Sequence, residues 1–251
     1  MDPRYVTVRA RRREIEGKLA ELAALGLVAN EPFSFAALED FAEGEYPEEQ
    51  EYTLLLSFLG GDDIDPEDPE TPLCRCDALY TFDHWCIFDG EAYAGLIPSL
   101  AQLAGDDLEL AEAYSELELP PAADVDPDSA NLTRRGMSSG TQRAIRDARV
   151  GAISAGFGWS YVRIEANGQR VELEFQQESC WFDWAVMRSL AALARLRTAE
   201  RRFFDLGSRS MITVGYLPLE QIEALAGLVR LRQLNSSLPL PRYSVRDLAP
   251  G

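Results

Sequence analysis

The chain has 251 residues, 46% of them hydrophobic, and its 42 Asp and Glu against 24 Lys and Arg give a formal charge of −18. That length and apolar content are enough to bury a core without disulfide staples and exclude wholesale disorder. The negative balance disfavours direct nucleic acid binding, and the single histidine, His84, excludes any enzyme that needs two.

The charge is unevenly placed. Between Glu31 and Thr133 there are 27 Asp and Glu and one basic residue, Arg75, whereas the rest of the chain carries 15 acids and 23 Lys and Arg. A field of this kind keeps a protein dispersed in solution, or it steers and docks a basic partner. The cations are almost all arginine, with Lys18 the only lysine, and together with heavy Ala, Leu and Gly use this marks a GC-rich bacterial genome. The four cysteines, Cys74, Cys76, Cys86 and Cys180, form no recognisable disulfide framework, which favours a reducing compartment. The acids from Glu14 onward break any apolar run after the N-terminal arginines. No stretch approaches about 18 apolar residues. A cytoplasmic protein that neither is exported nor spans a membrane is expected.

In chain order, Val8 to Leu25 is a first helix with Ile15, Leu19 and Leu22 on one face and Gly26 as its stop. Its early arginines stand at the unfavourable end of the helix dipole, so the first turn is expected to fray. Ser34 caps a short helix through Phe35, Leu38 and Phe41. The apolar run Tyr52 to Leu59 reads as a buried helix starting near Pro47. Gly60 to Pro72 is a loop with six acids. Ala78 to Phe88 is an aromatic-rich strand, Asp89-Gly90 a hairpin turn, Tyr93 to Ile97 the return strand, and Pro98 the first residue of the next helix. Asp107 to Leu119 fits either element type. Leu119 to Ser139, with three prolines, is the linker candidate, and a helix over 140–150 follows it.

The clearest local signal is Trp159 to Gln176. Val162 and Ile164 alternate with polar residues, as do Val171, Leu173 and Phe175, and Asn167-Gly168 between them supplies a turn needing positive φ. Asp183 caps a helix with Trp184, Met187, Leu190 and Ala194 on one stripe. Strands at 202–206 and 211–217 follow, and Pro218 opens a last helix. The expectation is an α+β fold, antiparallel sheets with helices packed on one face. It divides into an acidic domain over 1–118, a linker over 119–138 and a ββαββα-like domain over 139–251. An echo between Phe88 to Gly105 and Phe204 to Gly227 suggests two similar halves.

Specific chemistry finds little support. Cys74, Cys76, His84 and Cys86 are zinc-type residues without paired ligand spacing. The acidic stretches starting at Asp63 and Asp124 lack the glycine and glutamate of a calcium loop. Gly136 to Thr141, among Arg134, Arg135, Arg143 and Arg146, reads as linker or as an anion-binding helix start without the P-loop lysine. No cofactor or metal is expected, and no catalytic residue can be named. The aromatic residues Tyr80, Phe82, Trp85, Phe88, Trp181, Phe182 and Trp184 are core or, if exposed beside acids, interface anchors.

In its general character, including Trp181-Phe182-Asp183-Trp184 and Arg201-Arg202-Phe203-Phe204-Asp205-Leu206, the chain resembles immunity proteins that bacteria pair with polymorphic or type VI secretion toxins. That resemblance implies a non-enzymatic inhibitor that occludes the basic active-site cleft of a cytosol-acting toxin. From the charge, the acids expected at the interface are Asp62, Asp63, Asp65, Glu67, Asp68 and Glu70, with Asp106 and Asp107. A DNA-mimic or regulatory adaptor for a nucleic-acid-binding protein is the alternative, and an enzyme of unrecognised type the next.

Overall fold

The structure is a computed structural model, and it describes residues 11–30, 33–45, 51–64, 72–83, 86–87, 90–118, 158–177, 181–206 and 211–234. In chain order the elements are α1 (Arg12–Ala24), α2 (Phe35–Glu45), α3 (Glu51–Leu59), β1 (Asp62–Ile64), β2 (Pro72–Cys74), β3 (Leu79–Asp83), α4 (Ala92–Gln102), β4 (Leu110–Glu118), β5 (Gly158–Ala166), β6 (Gln169–Gln177), α5 (Trp184–Ala194), β7 (Arg201–Asp205), β8 (Met211–Pro218), α6 (Leu219–Ala226) and β9 (Arg232–Gln233). All strand pairs are antiparallel, so the protein is α+β as its patterning predicts. No helix among the described residues is long and apolar enough to cross a membrane.

The chain divides into two compact units, but not at residues 119–138 as the proline-rich stretch suggests. One unit is drawn from Met1–Asp83, Gln102–Gly105 and Thr198–Asn235, the other from His84–Ala101, Asp106–Arg197 and Ser236–Gly251. The reason lies in strand pairing. β3 joins β8, and β4 joins β5, so residues on either side of the expected linker complete each other's sheets. The two hairpins expected to share one C-terminal sheet belong to different sheets. The linker residues themselves and the expected helix at 140–150 lie outside the described residues.

In the first unit the sheet order is β3-β8-β7-β9. Leu79, Phe204 and Leu217 on this sheet share one core cluster with Ile15, Leu22, Leu38, Leu55, Leu56, Ile222 and Leu225 of the helices. Ser57 of α3 meets Thr213 at 3.0 Å, and Thr213 meets Thr81 at 2.9 Å, so three buried hydroxyls satisfy one another where helix and sheet pack. Gly215 is required there, since a Cβ would stand 2.4 Å from Phe204 Cζ. Ser34 Oγ accepts from Ala37 N, which is the expected cap of α2. Val8 to Ala10, in the turn expected to fray, lie outside the described residues; α1 opens at Arg12, and the arginines there stand beside acids. Arg11 donates to Glu14 at 2.8 Å and to Glu51 at 3.0 Å, and Arg12 to Glu16 at 3.0 Å. The bonds from Arg11 and Lys18 bring the Glu14 carboxyl down to about 2. The Gly60 to Pro72 loop is also revised, because Asp62 to Ile64 pairs with Pro72 to Cys74 as two strands too short to announce themselves by alternation.

In the second unit the sheet order is β4-β5-β6, a three-stranded meander after a long connection. Asn167 and Gly168 take φ of 53° and 68°, as the two-residue turn requires. Asn167 does more than turn the chain. Its Oδ1 accepts from Glu109 N at 3.0 Å, and its Nδ2 donates to the Asp107 and Leu193 carbonyls at 2.9 and 3.0 Å. One side chain thus pins the hairpin to the approach of β4 and the end of α5. Asp183 caps α5, its Oδ1 accepting from Ala185 N.

Tyr93 to Ile97 is helix rather than return strand. Tyr93, Ile97, Leu100 and Ala101 fall on one buried helical stripe, and Pro98 sits inside α4 instead of opening a helix. Burial of that stripe outweighs the roughly 3 kcal/mol that an interior proline costs. The proposed echo between the halves therefore fails, since Pro218 does stand at the start of its helix and Pro98 does not. Tyr93 packs edge-on to Phe175 at 5.8 Å and donates to Gln177 Oε1 at 3.1 Å. Ser160 Oγ donates to the same Gln177 oxygen at 3.0 Å, so a satisfied polar network lies under the sheet.

Replacing Asn167 by Ala removes three hydrogen bonds and puts a side chain with no local compensation at positive φ. Urea denaturation is expected to record a loss of about 2–3 kcal/mol, with Asn167→Gly losing about 1 kcal/mol less because only the bonds are gone. An Asn167→Ala variant as stable as the parent would show that the hairpin is not pinned there.

Candidate functional site

The sequence-predicted acids do not come together in one unit. Asp62 and Asp63 lie in β1 of the first unit, opposite Cys74 and Leu73. Asp106, exposed, and Asp107, half-buried, lie in the second, where the Asp107 carbonyl accepts from Asn167. Asp65, Glu67, Asp68 and Glu70 lie outside the described residues, as do His84, Trp85, Phe88 and the segment 119–157 with its arginines. Of the remaining predicted aromatics, Phe82 and Phe182 are core, while Trp181 is 48% exposed. Cys76 is buried, which pushes its thiol up, and Cys86 is half-buried. Among the described residues no group of three or more His, Cys, Asp and Glu side chains is placed to hold an ion.

A different surface emerges from the β4-β5-β6 sheet. Along β5, burial alternates without a break: Ser160, Val162, Ile164 and Ala166 turn inward, and Trp159, Tyr161, Arg163 and Glu165 turn outward. Residues directly opposite in an antiparallel pair share a face. The register therefore assembles four outward rows: Glu112, Glu165 and Arg170; Tyr114, Arg163 and Glu172; Glu116, Tyr161 and Glu174; Glu118, Trp159 and Gln176. Six carboxylates, two guanidiniums and three aromatic rings stand on one plane. Rows are about 7 Å apart and strands about 4.8 Å apart, so the face spans roughly 20 by 10 Å. That suits an anchor patch within an interface, not a whole interface.

The face is electrostatically polarised. At one end the charges compensate within the sheet: Arg163 Nη1 lies 3.6 Å from Glu112, and Arg170 Nε lies 3.1 Å from Glu172. At the other end Glu116, Glu118 and Glu174 have no Lys or Arg partner among the described residues. Their neighbours are rings. Tyr114 donates to Glu116 at 3.0 Å and Tyr161 to Glu118 at 3.4 Å. Trp159 is 47% exposed and Tyr114 41%. The hydrogen bond to Glu116 and that carboxylate's charge raise the Tyr114 phenol above its ordinary value. Tyr161 is raised by partial desolvation and then by the charges of Glu174, Glu118 and Glu116.

Exposed indole and phenol rings among carboxylates can do two things. They can offer rigid apolar area at low entropic cost, and they can hold a cation against both a π face and an anion. Comparison of the chain with family models, curated proteins and solved structures finds no match in any of the three.

Tyrosine ring resonances followed by NMR against pH should place Tyr114 and Tyr161 above the ordinary tyrosine value. Glu116→Gln should bring Tyr114 back down, because the charge opposing phenolate formation is gone. An unmoved Tyr114 would mean that the two side chains do not interact in solution.

Proposed function

We propose that this chain is a non-enzymatic protein-binding inhibitor, of the immunity type that its sequence resembles. It would neutralise a cytosol-acting bacterial toxin by covering a basic cleft. The observation that carries this reading is the outward face of the β4-β5-β6 sheet, where a contiguous acidic surface is studded with exposed rings. Carboxylates draw a cationic partner in and raise its association rate, while buried aromatic anchors slow its departure. The acids predicted from sequence at Asp62 to Glu70, Asp106 and Asp107 add to the long-range field in this reading. The sheet face makes the contact.

A DNA mimic needs carboxylates evenly spaced along an unbroken surface. Here Trp159, Tyr161, Tyr114, Arg163 and Arg170 interrupt them, which favours a protein partner read by shape as well as charge.

The test is a low-salt pull-down from the cells that encode the chain, with the parent protein and a Glu116→Arg/Glu118→Arg/Glu174→Arg variant. A basic protein held by the parent, released as salt rises, and lost by the variant is the expected result. Equal retention by both would reject this surface as the binding site.

A further inference from the structure

The outward face of the β4-β5-β6 sheet carries a specific pattern of rings and carboxylates. One arginine is already bound there in a defined way. The Arg163 guanidinium lies 4.9 Å over the Tyr114 ring and reaches the Glu112 carboxylate at 3.6 Å. Ring beneath and carboxylate beside is the arrangement that suits a planar, weakly hydrated cation.

The same pairing recurs along the sheet without a guanidinium from this sheet to fill it. Tyr161 stands between Glu116 and Glu174 in the next row, and Trp159 stands beside Glu118 in the row after. Trp159 presents 47% of its surface to solvent, and no Lys or Arg among the described residues pairs with Glu116, Glu118 or Glu174. Carboxylates alone attract Lys and Arg alike, and exposed ion pairs are weak. The rings discriminate, because guanidinium stacks on an aromatic plane while still donating in-plane bonds to a carboxylate. An ammonium is a compact, strongly hydrated point charge.

We propose that Glu116, Glu118, Trp159, Tyr161 and Glu174 form a docking patch that selects arginine over lysine in a cationic protein partner. This rests on the protein-binding reading of the same face. The occupant is a segment or cleft rim of the partner that presents at least two arginines. One sits over Trp159 against Glu118, the other over Tyr161 between Glu116 and Glu174, repeating what Arg163 does inside the chain.

The experiment titrates labelled nona-arginine and nona-lysine with the full chain at low salt by fluorescence anisotropy. The variants are Trp159→Ala, Trp159→Leu and Glu116→Gln/Glu118→Gln/Glu174→Gln. The expected result is nona-arginine bound about tenfold more tightly than nona-lysine. Both Trp159 variants should lose roughly fivefold for nona-arginine and less than twofold for nona-lysine, since a leucine keeps apolar bulk without the π face. Trp159 is half exposed, so thermal melts of these variants should match the parent. Equal binding of the two peptides, both weakened by the triple Gln variant, overturns the arginine selectivity and leaves the acidic docking face standing. An arginine preference that survives at Trp159→Leu also overturns it. Binding of both peptides indifferent to the triple Gln variant overturns the docking face and this inference together.

Discussion

The register of the β4-β5-β6 sheet is the constraint on which the proposed docking surface depends. Side chains alternate with period two, so a slip of β5 by one residue would send Trp159, Tyr161, Arg163 and Glu165 into the core and bring Val162 and Ile164 to solvent. Two features hold the register. The inward face is anchored by Tyr93, Ser160 and Gln177 in one hydrogen-bonded group. The turn is anchored by Asn167, whose side chain bonds both the entry to β4 and the end of α5. A chain with the same composition and a looser turn would carry the same acids without arraying them.

Net charge of −18 alone says little about binding, because surface ion pairs and isolated carboxylates are each worth about 0–1 kcal/mol. Placement decides. Part of the acidic surplus is spent inside the fold, as with Glu14 and Glu51 around Arg11 and Lys18 at the start of α1. Part is compensated on the sheet face by Arg163 and Arg170. What remains at the Glu116, Glu118 and Glu174 end is not paired with cations among the described residues and is surrounded by rings, a combination that a merely solubilising surface does not require. Solubility is served by charge anywhere. Exposed indole and phenol work against it unless something covers them.

Much of the fold was legible in the sequence where local chemistry was strong. Asn167-Gly168 between alternating runs, Asp183 before an apolar stripe, Ser34 as a cap and Pro218 at a helix start all act through their nearest neighbours, and all form as their residue types dictate. The misreadings share a different cause. Tyr93 to Ile97 looks extended beside Asp89-Gly90, yet long-range burial against Phe175 and Phe182 makes it helix despite Pro98. The pairing of β3 with β8 and β4 with β5 crosses more than a hundred residues in one case and some forty in the other, and local pattern carries no trace of partners so distant. The candidate face is hidden in the sequence for one identifiable reason. The pattern from Asp107 to Leu119 fits helix and strand alike. Read as a strand, it places Glu112, Tyr114, Glu116 and Glu118 on one parity, which is the signal that exposes the site.

The central claim is that a macromolecule is read by this one face. A photo-reactive side chain at Gln176, in the row of Trp159 and Glu118, tests it most directly when compared with the same group at Leu196, which is 60% exposed elsewhere on the second unit. Irradiation in the cells that encode the chain should give a single adduct with a basic protein from position 176. It should give none from position 196, and the adduct should vanish when Glu118 and Glu174 are changed to Gln. Adducts forming equally at both positions, or persisting without those glutamates, would contradict the account.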